Sequence, residues 1–166
     1  MIVSNTSPLI YLAKIGKLEL LKVLFKKIVI PKQVYDEIMK GKEEGYLDYL
    51  FIESAVKEGW ISVNDTTIEK EFKVFSEELD SGELALLSLS IKLKPSLVLI
   101  DDASARVIAE SRGLSVKGTL YILLKAFKEK IISKQEIKKY VNELVFSGFR
   151  ISQEIYSKFL EEIEKN

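Results

Sequence analysis

The chain has 166 residues, of which 47% are apolar and 30% charged, a balance typical of one folded domain with a substantial core and not of a disordered tail. Its 25 Lys and Arg residues equal its 25 Asp and Glu residues, which argues against a basic surface over the whole chain. It contains no Cys and no His, so disulfides, thiolate or imidazole metal sites, Cys nucleophiles and His-based triads are excluded. Any catalysis must use carboxylates, Lys, Arg, Ser, Thr or Tyr, and oxygen ligands favour Mg²⁺ or Mn²⁺.

Composition also sets expectations about where the protein acts. Many Lys and Glu residues, with no Cys and only 2 Met, are typical of an intracellular thermophile protein, and we expect a cytoplasmic location. No apolar run of about 18 residues is present, so no membrane span is expected. The N-terminus lacks a basic segment, and we therefore expect no signal peptide.

Short apolar runs alternate with helical patterns along the chain. Ser7 is the expected N-cap of the first helix and Pro8 its first residue, Pro31 is expected to open the third helix, and Gly41 is expected to end it. The helix from Asp80 is apolar nearly all round, which predicts that it is buried. In chain order, strands are predicted at 2–4, 28–30, 60–63, 97–100 and 114–116. Helices are predicted at 8–15, 18–25, 31–41, 46–58 (with Leu47, Leu50, Phe51 and Val56 as its apolar stripe), 66–75, 80–93, 103–112, 118–129, 134–146 and 152–164.

The strongest strands are continuous apolar runs, which is typical of a parallel sheet covered on both faces. The sequence therefore predicts an α/β fold, a three-layer α/β/α arrangement with a central parallel sheet of about 4–5 strands. We expect residues 1–130 to form this domain and residues 131–166 to form a C-terminal helical extension packed on it. In such sheets, ligands bind beyond the carboxyl ends of the strands.

Oxygen-bearing side chains from four segments are expected at that edge of the sheet. Their chemistry matches a magnesium or manganese site, although sequence alone does not prove that they converge. They are Asn5 after the first strand, Glu37 two turns into the helix after the second, Asp80 and Glu83 at the start of the helix before the fourth, and Asp101 and Asp102 after the fourth.

Most of these residues also have a structural interpretation. Asn5 could cap the first helix or form an Asx-turn. Asp80 and Glu83 fit the N-cap and N3 positions of a capping box. Asp101 or Asp102 could cap the helix that follows them.

Glu37 is harder to explain as a structural residue. Val34 and Ile38 mark the buried face of its helix, and the helical period places Glu37 at the border of that face. A carboxylate that faces inward needs a cation or hydrogen-bond donors. The alternative is a surface Glu that pairs with a Lys such as Lys40.

Four segments resemble the PIN domain (PilT N-terminus) family in their order and spacing. They are IVSNTSPLI at 2–10, IPKQVYDEI at 30–38, DSGELALL at 80–87 and VLIDDASAR at 98–106, continued by Gly113-Leu114 and Gly118-Thr119-Leu120. The resemblance is to the compact branch of predicted nucleic-acid-binding proteins and to VapC-like toxins of toxin–antitoxin pairs. It implies a metal-dependent ribonuclease with three or four acidic residues at the carboxyl edge of a parallel sheet.

Carried over by position, Glu37, Glu83 and either Asp101 or Asp102 match the acidic positions of the family, and Asp102 aligns better. The family has Asp where this chain has Asn5. One charge pair at about 4 Å is worth about 4 kcal/mol at an effective dielectric of about 20, before desolvation. The neutral amide should therefore weaken metal binding.

The enzyme hypothesis is phosphodiester hydrolysis with one or two Mg²⁺ or Mn²⁺ ions. Glu37, Glu83, Asp101 and Asp102 are the candidate catalytic residues, and the metal set is Asn5, Glu37, Glu83 and Asp102. Such an ion would activate water and stabilise charge on the transferred phosphate. Candidate substrate-binding residues are Thr6, Ser7, Lys14, Arg106 and Lys117, with helix capping or ordinary solvated charge as the alternative for each.

A second hypothesis is an inactive PIN-like module that binds RNA or a protein, which the neutral Asn5 favours. A phosphoacceptor receiver domain is disfavoured because its acidic pair should follow the first strand. The expected partners are single-stranded RNA, an antitoxin protein and a second copy of the chain. Phe146, Phe149 and Tyr156 are candidates for a homodimer interface or for packing within the monomer.

Overall fold

The computed structural model describes all residues 1–166 and has five parallel strands in one central sheet with helices on both faces. The strand order is β3-β2-β1-β4-β5. This arrangement confirms the predicted α/β fold with a covered parallel sheet. The strands are β1 Ile2–Ser4, β2 Ile28–Pro31, β3 Ile61–Asn64, β4 Leu97–Leu99 and β5 Val116–Lys117.

The helices connect successive strands and then close the chain. A 3₁₀ helix at Lys70–Phe75 replaces the helix predicted at 66–75. No helix is both long enough and apolar enough to cross a membrane. The α-helices are α1 Thr6–Lys14, α2 Glu19–Phe25, α3 Lys32–Glu43, α4 Tyr49–Lys57, α5 Ser81–Leu93, α6 Ala103–Ser111, α7 Thr119–Lys128, α8 Lys134–Phe146 and α9 Gln153–Glu164.

The sheet separates two apolar clusters because successive side chains of a strand point to opposite faces. Ile2 lies in the larger cluster and Val3 in the smaller one, and both pair with β2 and β4 in register. Helix α5 is buried from Gly82 to Ser90, as its apolar circumference predicts. The last two helices contribute Ile137, Leu144 and Ile163 to the larger cluster.

Three further local expectations are wrong, and the first two concern helix ends. Helix α1 begins at Thr6 with Asn5 as its N-cap, so Ser7 and Pro8 lie inside the first turn. Proline is tolerated there because backbone N–H groups of the first turn have no hydrogen-bond partner within the helix. Helix α3 continues through Gly41 to Glu43.

In the fourth helix, the buried residues are Ile52 and Ala55, whereas Leu47, Leu50 and Phe51 are exposed. Leu47 precedes the helix, which begins at Tyr49, so a helical period that starts at Leu47 does not identify the buried face.

Candidate active site

The order of the strands reverses next to β1, which has β2 on one side and β4 on the other. The Asn5 backbone N–H donates to the Leu99 carbonyl at 2.9 Å, so the chain after β1 stays beside the end of β4. In open parallel sheets, ligands bind in the crevice beyond such a switch point. Asn5 and the loop at Asp101 and Asp102 therefore flank the expected binding crevice.

Asn5, beside this crevice, has a buried polar oxygen without a partner. The residue is 4% exposed, and although it occupies the N-cap position of α1, its side chain makes no capping hydrogen bond. Its Oδ1 atom is buried and accepts no hydrogen bond. A buried acceptor left unpaired costs about 1–3 kcal/mol. The side chain is thus free to accept from a donor or to bind a cation.

Glu37 reaches the crevice from α3. Its Oε2 atom accepts a hydrogen bond from the Thr6 hydroxyl at 2.5 Å, and Lys40 forms no ion pair with it. A Cβ atom added to Gly82 would lie 3.1 Å from this Oε2 and 3.3 Å from Asp80 Oδ1. The absence of a side chain at position 82 therefore lets two carboxylates approach each other.

Asp80 and Glu83 form the capping box that their spacing predicts. The Glu83 N–H donates to Asp80 Oδ1 at 2.8 Å, and the Asp80 N–H donates to Glu83 Oε2 at 3.0 Å. Unlike an ordinary capping residue, Glu83 is only 8% exposed. Burial raises its pKa to about 7, with repulsion from three further carboxylates in the same direction, those of Asp80, Asp102 and Glu37. Four carboxylates from three segments thus share one region.

Glu37 shows the same effect on a smaller scale. Partial burial of its carboxylate raises the pKa and the charge of Asp80 adds to this, whereas the Thr6 hydrogen bond and the positive charge of Lys40 lower it. Because the Glu37 side chain as a whole is exposed, solvent screens these charges more than it does at Glu83.

The two adjacent aspartates have different surroundings. Both Asp101 oxygens accept hydrogen bonds from Thr119, one from its N–H at 2.7 Å and one from its hydroxyl at 2.6 Å. Burial raises the Asp101 pKa, and the Thr119 bonds and Arg106 act in the opposite direction. Asp102 caps α6 through one oxygen, which accepts from the Ala105 N–H at 2.8 Å, and it is exposed. Asp102 therefore keeps one oxygen without a hydrogen bond, whereas both oxygens of Asp101 are bound to the start of α7.

The predicted substrate-binding residues fall into two separate clefts. Thr6 and Lys14 line a cleft of about 410 Å³ beside Glu37, and Ser7 lies in the first turn of α1 next to Thr6. Arg106 and Lys117 line a different groove of about 550 Å³ that contains Asp101. The acidic crevice does not bring these two sets together.

Two further polar residues near these clefts do not stand out in the sequence. Gln33 lies beside Glu37 and Asp80 in a polar pocket, where its Nε2 donates to the Thr66 carbonyl at 2.8 Å and its Oε1 is unpaired. Arg150 lines the groove of Arg106. Neither belongs to a local motif, and only the rarity of arginine in the chain sets Arg150 apart.

The donor set fits a divalent cation in chemistry. Amide and carboxylate oxygens are hard ligands, the Asn5 oxygen is unpaired, and a cation would relieve the repulsion that raises the Glu83 pKa. No three acidic side chains are already arranged to hold an ion. In each of Glu37, Glu83 and Asp102, one oxygen accepts a hydrogen bond and the other accepts none.

Together, the parallel sheet and the acidic residues at its switch point define an α/β protein with the architecture of the PIN class. A family model described as a PIN domain (DUF3368) matches residues 1–165, and the chain belongs to this family. The resemblance stated from the sequence is confirmed at this level. PIN domains are generally nucleases. A search of curated proteins finds no match to the chain.

Proposed function

We propose that this PIN domain is a ribonuclease that hydrolyses phosphodiester bonds of single-stranded RNA with Mg²⁺ or Mn²⁺. The observation that carries the proposal is the group of four carboxylates, Glu37, Asp80, Glu83 and Asp102, none of which forms an ion pair. Unpaired carboxylates that repel one another reduce stability, and a site that binds a cation explains why they persist.

Asn5, Glu37, Glu83 and Asp102 are the residues that would hold the ion. When bound, Mg²⁺ or Mn²⁺ supplies positive charge that activates water and neutralises the scissile phosphate. The chain's own hydrogen bonds orient its carboxylates before any ligand arrives. The Thr6 hydroxyl holds one oxygen of Glu37, the Asp80 N–H holds one of Glu83, and the Ala105 N–H holds one of Asp102.

Asp101 has a positioning role in this proposal. Its carboxylate follows β4 and accepts hydrogen bonds from the backbone N–H and the hydroxyl of Thr119, the first residue of α7. This contact sets the path of the loop that carries Asp102 into the crevice. The assignment separates the two aspartates, which the sequence left as alternatives.

Metal binding and cleavage by three proteins test the proposal. They are the wild type, Asn5→Asp and Asp102→Asn, in which the amide can still accept the Ala105 N–H. Mn²⁺ binding is measured by calorimetry, and cleavage is measured on a mixed single-stranded RNA pool. We expect Asn5→Asp to bind Mn²⁺ most tightly and Asp102→Asn to lose cleavage. The control Asp36→Asn removes an exposed carboxylate that pairs with Lys32 and should match the wild type.

The second candidate function is an inactive module that binds RNA or a protein. The neutral side chain of Asn5, which lowers the negative charge of the site, favours it. If both the wild type and Asn5→Asp fail to bind Mn²⁺ and to cut RNA, the nuclease proposal is wrong and this candidate replaces it.

We also propose a toxin role with an antitoxin partner, and a homodimer. Of the three aromatic residues considered for an interface, Phe146 on α8 is 96% exposed, whereas Phe149 and Tyr156 are half-buried against the core. Phe146 therefore supports the homodimer, and Phe146→Ser should convert a dimer to a monomer in sedimentation.

A further inference from the structure

A groove of about 550 Å³ is lined by Asp101 but not by Glu83, and we name it the C-terminal groove. Its volume is within the range of about 300–1,000 Å³ that is typical of ligand sites. It is lined by Arg106 and Val107 of α6, Lys117 at the end of β5, Tyr121 in the first turn of α7, and Phe149 and Arg150 between α8 and α9.

The C-terminal groove holds two of the chain's three arginines. The third, Arg112, lies at the opposite end of α6 and pairs with Glu71. Arg150 is exposed and makes no hydrogen bond or ion pair, and Lys117 makes no ion pair. Arginine in particular binds phosphate, because its planar donors match two oxygens at once. At Arg150 and Lys117, the groove therefore presents cations that form no ion pair with another side chain.

Two acidic residues, Asp101 and Glu110, also line the C-terminal groove and offset part of the charge of its three cations. The Asp101 carboxylate, which accepts from Thr119, lies near Arg106, and the Arg106 Nη1 donates to the Ile100 carbonyl at 3.3 Å. Glu110 lies one turn beyond Arg106 along α6, further from the edge of the sheet. The three cations therefore outnumber the two carboxylates, and Arg150 and Lys117 are the cations without an ion-pair partner.

The remaining wall of the groove is apolar. Val107 is 65% exposed and Ile155 is 52% exposed, with the half-buried ring of Tyr121 between α6 and the C-terminal segment. The Lys117 ammonium lies 5.4 Å from the centre of that ring. Cations beside an apolar and aromatic surface match a nucleotide, which joins an anionic phosphate to a flat base.

The segment that carries Arg150 is held in place by α1. The Phe149 ring packs edge-on against Tyr11 with centroids 5.1 Å apart, and the Tyr11 hydroxyl donates to the Gly148 carbonyl at 3.3 Å. The Phe149 N–H donates to the Leu144 carbonyl at 3.0 Å. Helix α1 begins next to Asn5, so one helix positions both the acidic crevice and this wall of the groove.

We propose that the C-terminal groove binds a nucleotide of single-stranded RNA next to the phosphate that enters the acidic crevice, with Arg150 and Arg106 on the backbone phosphate and the base against Val107. The inference rests on the proposed function and extends it, since it makes the segment between the last two helices part of the substrate site. The groove and the crevice meet at Asp101 and Asp102, which are consecutive residues.

Binding is tested by fluorescence anisotropy of a labelled eight-nucleotide single-stranded RNA in EDTA, where no metal-dependent cleavage occurs. We expect Arg150→Gln and Arg106→Gln each to weaken binding about fivefold or more. For a single strand, each lost phosphate contact should also lower the slope of log K against log salt by about 0.7. Arg150→Lys should retain part of the affinity. Arg112→Gln, at the residue that follows the same helix, should bind as the wild type does.

The inference is overturned if Arg150→Gln binds RNA like the wild type, or if Arg112→Gln weakens binding equally. The inference is also overturned, in favour of a protein partner, if the wild type binds a hexaglutamate peptide more tightly than RNA and Arg150→Gln no longer binds the peptide. Manganese-dependent cleavage, measured in parallel, separates the two proposals. If the wild type cleaves RNA and Arg150→Gln binds RNA as tightly as the wild type, only the groove proposal is refuted. If Arg150→Gln binds RNA more weakly and the wild type does not cleave RNA, only the nuclease proposal is refuted.

Discussion

Replacing Glu83 with Gln should stabilise the protein at alkaline pH. The Glu83 pKa is about 7 in the folded chain against an ordinary value of 4.5, so the folded state holds this proton more tightly than the unfolded state. Stability should therefore fall as pH rises from about 4.5 to about 7. One pKa unit corresponds to about 1.36 kcal/mol, which sets an upper bound of about 3 kcal/mol for this shift. Because the crevice opens to water, we expect about 1–2 kcal/mol.

Urea denaturation without metal at pH 5 and pH 8 measures this effect. Gln has the shape of Glu and can still accept the Asp80 N–H, so the capping box is kept. Glu83→Gln should exceed the wild type in free energy of unfolding by about 1–2 kcal/mol at pH 8 and by much less at pH 5. A variant less stable than the wild type at pH 8, or a gain independent of pH, would refute the electrostatic reasoning.

The chain contains its own control for this experiment. Glu136 is the N3 residue of a second capping box, with Ser133 at the start of α8, and it is exposed. Hydrogen bonds from Ser133 hold its pKa below the ordinary value. Its ionised form therefore contributes stability above pH 4.5, and Glu136→Gln should lose stability at pH 8. If Glu83→Gln raises the free energy of unfolding at pH 8 and Glu136→Gln lowers it, the effect at Glu83 is due to the carboxylates around it.

The remaining predictions concern the same crevice. Asn5→Asp should lower the free energy of unfolding at pH 8 without metal and raise Mn²⁺ affinity about tenfold or more, measured by urea denaturation and calorimetry. Gly41→Ala should stabilise α3 by about 0.5–1 kcal/mol, whereas Gly82→Ala should gain less and weaken Mn²⁺ binding, since its Cβ would crowd two carboxylates. Equal gains at both glycines would contradict this. Thr119→Val should cost about 1–3 kcal/mol in urea denaturation at pH 7, because Asp101 loses one hydrogen bond, and Thr119→Ser should restore most of it.

Much of the fold follows from local patterns in the sequence. Continuous apolar runs such as 97–100 predict buried parallel strands, and the all-round apolar helix from Asp80 predicts the buried α5. The capping box of Asp80 and Glu83 is also predictable from the sequence, because its two residues are three positions apart and form their hydrogen bonds within one turn. These features succeed because their determinants lie close together in the chain.

The lack of His and Cys, together with polar residues after each apolar strand, also restricts any metal site to oxygen ligands at one edge of the sheet. The tertiary structure decided which of those oxygens are free. Asp101 is occupied by Thr119, 18 residues later in the chain, whereas Asn5 keeps an unpaired buried oxygen because its helix begins without a side-chain cap. Arg150 joins Arg106 only because α1 holds the segment after α8. Spacing along the chain indicates which strand end carries a side chain, but the partner of that side chain depends on how distant elements pack.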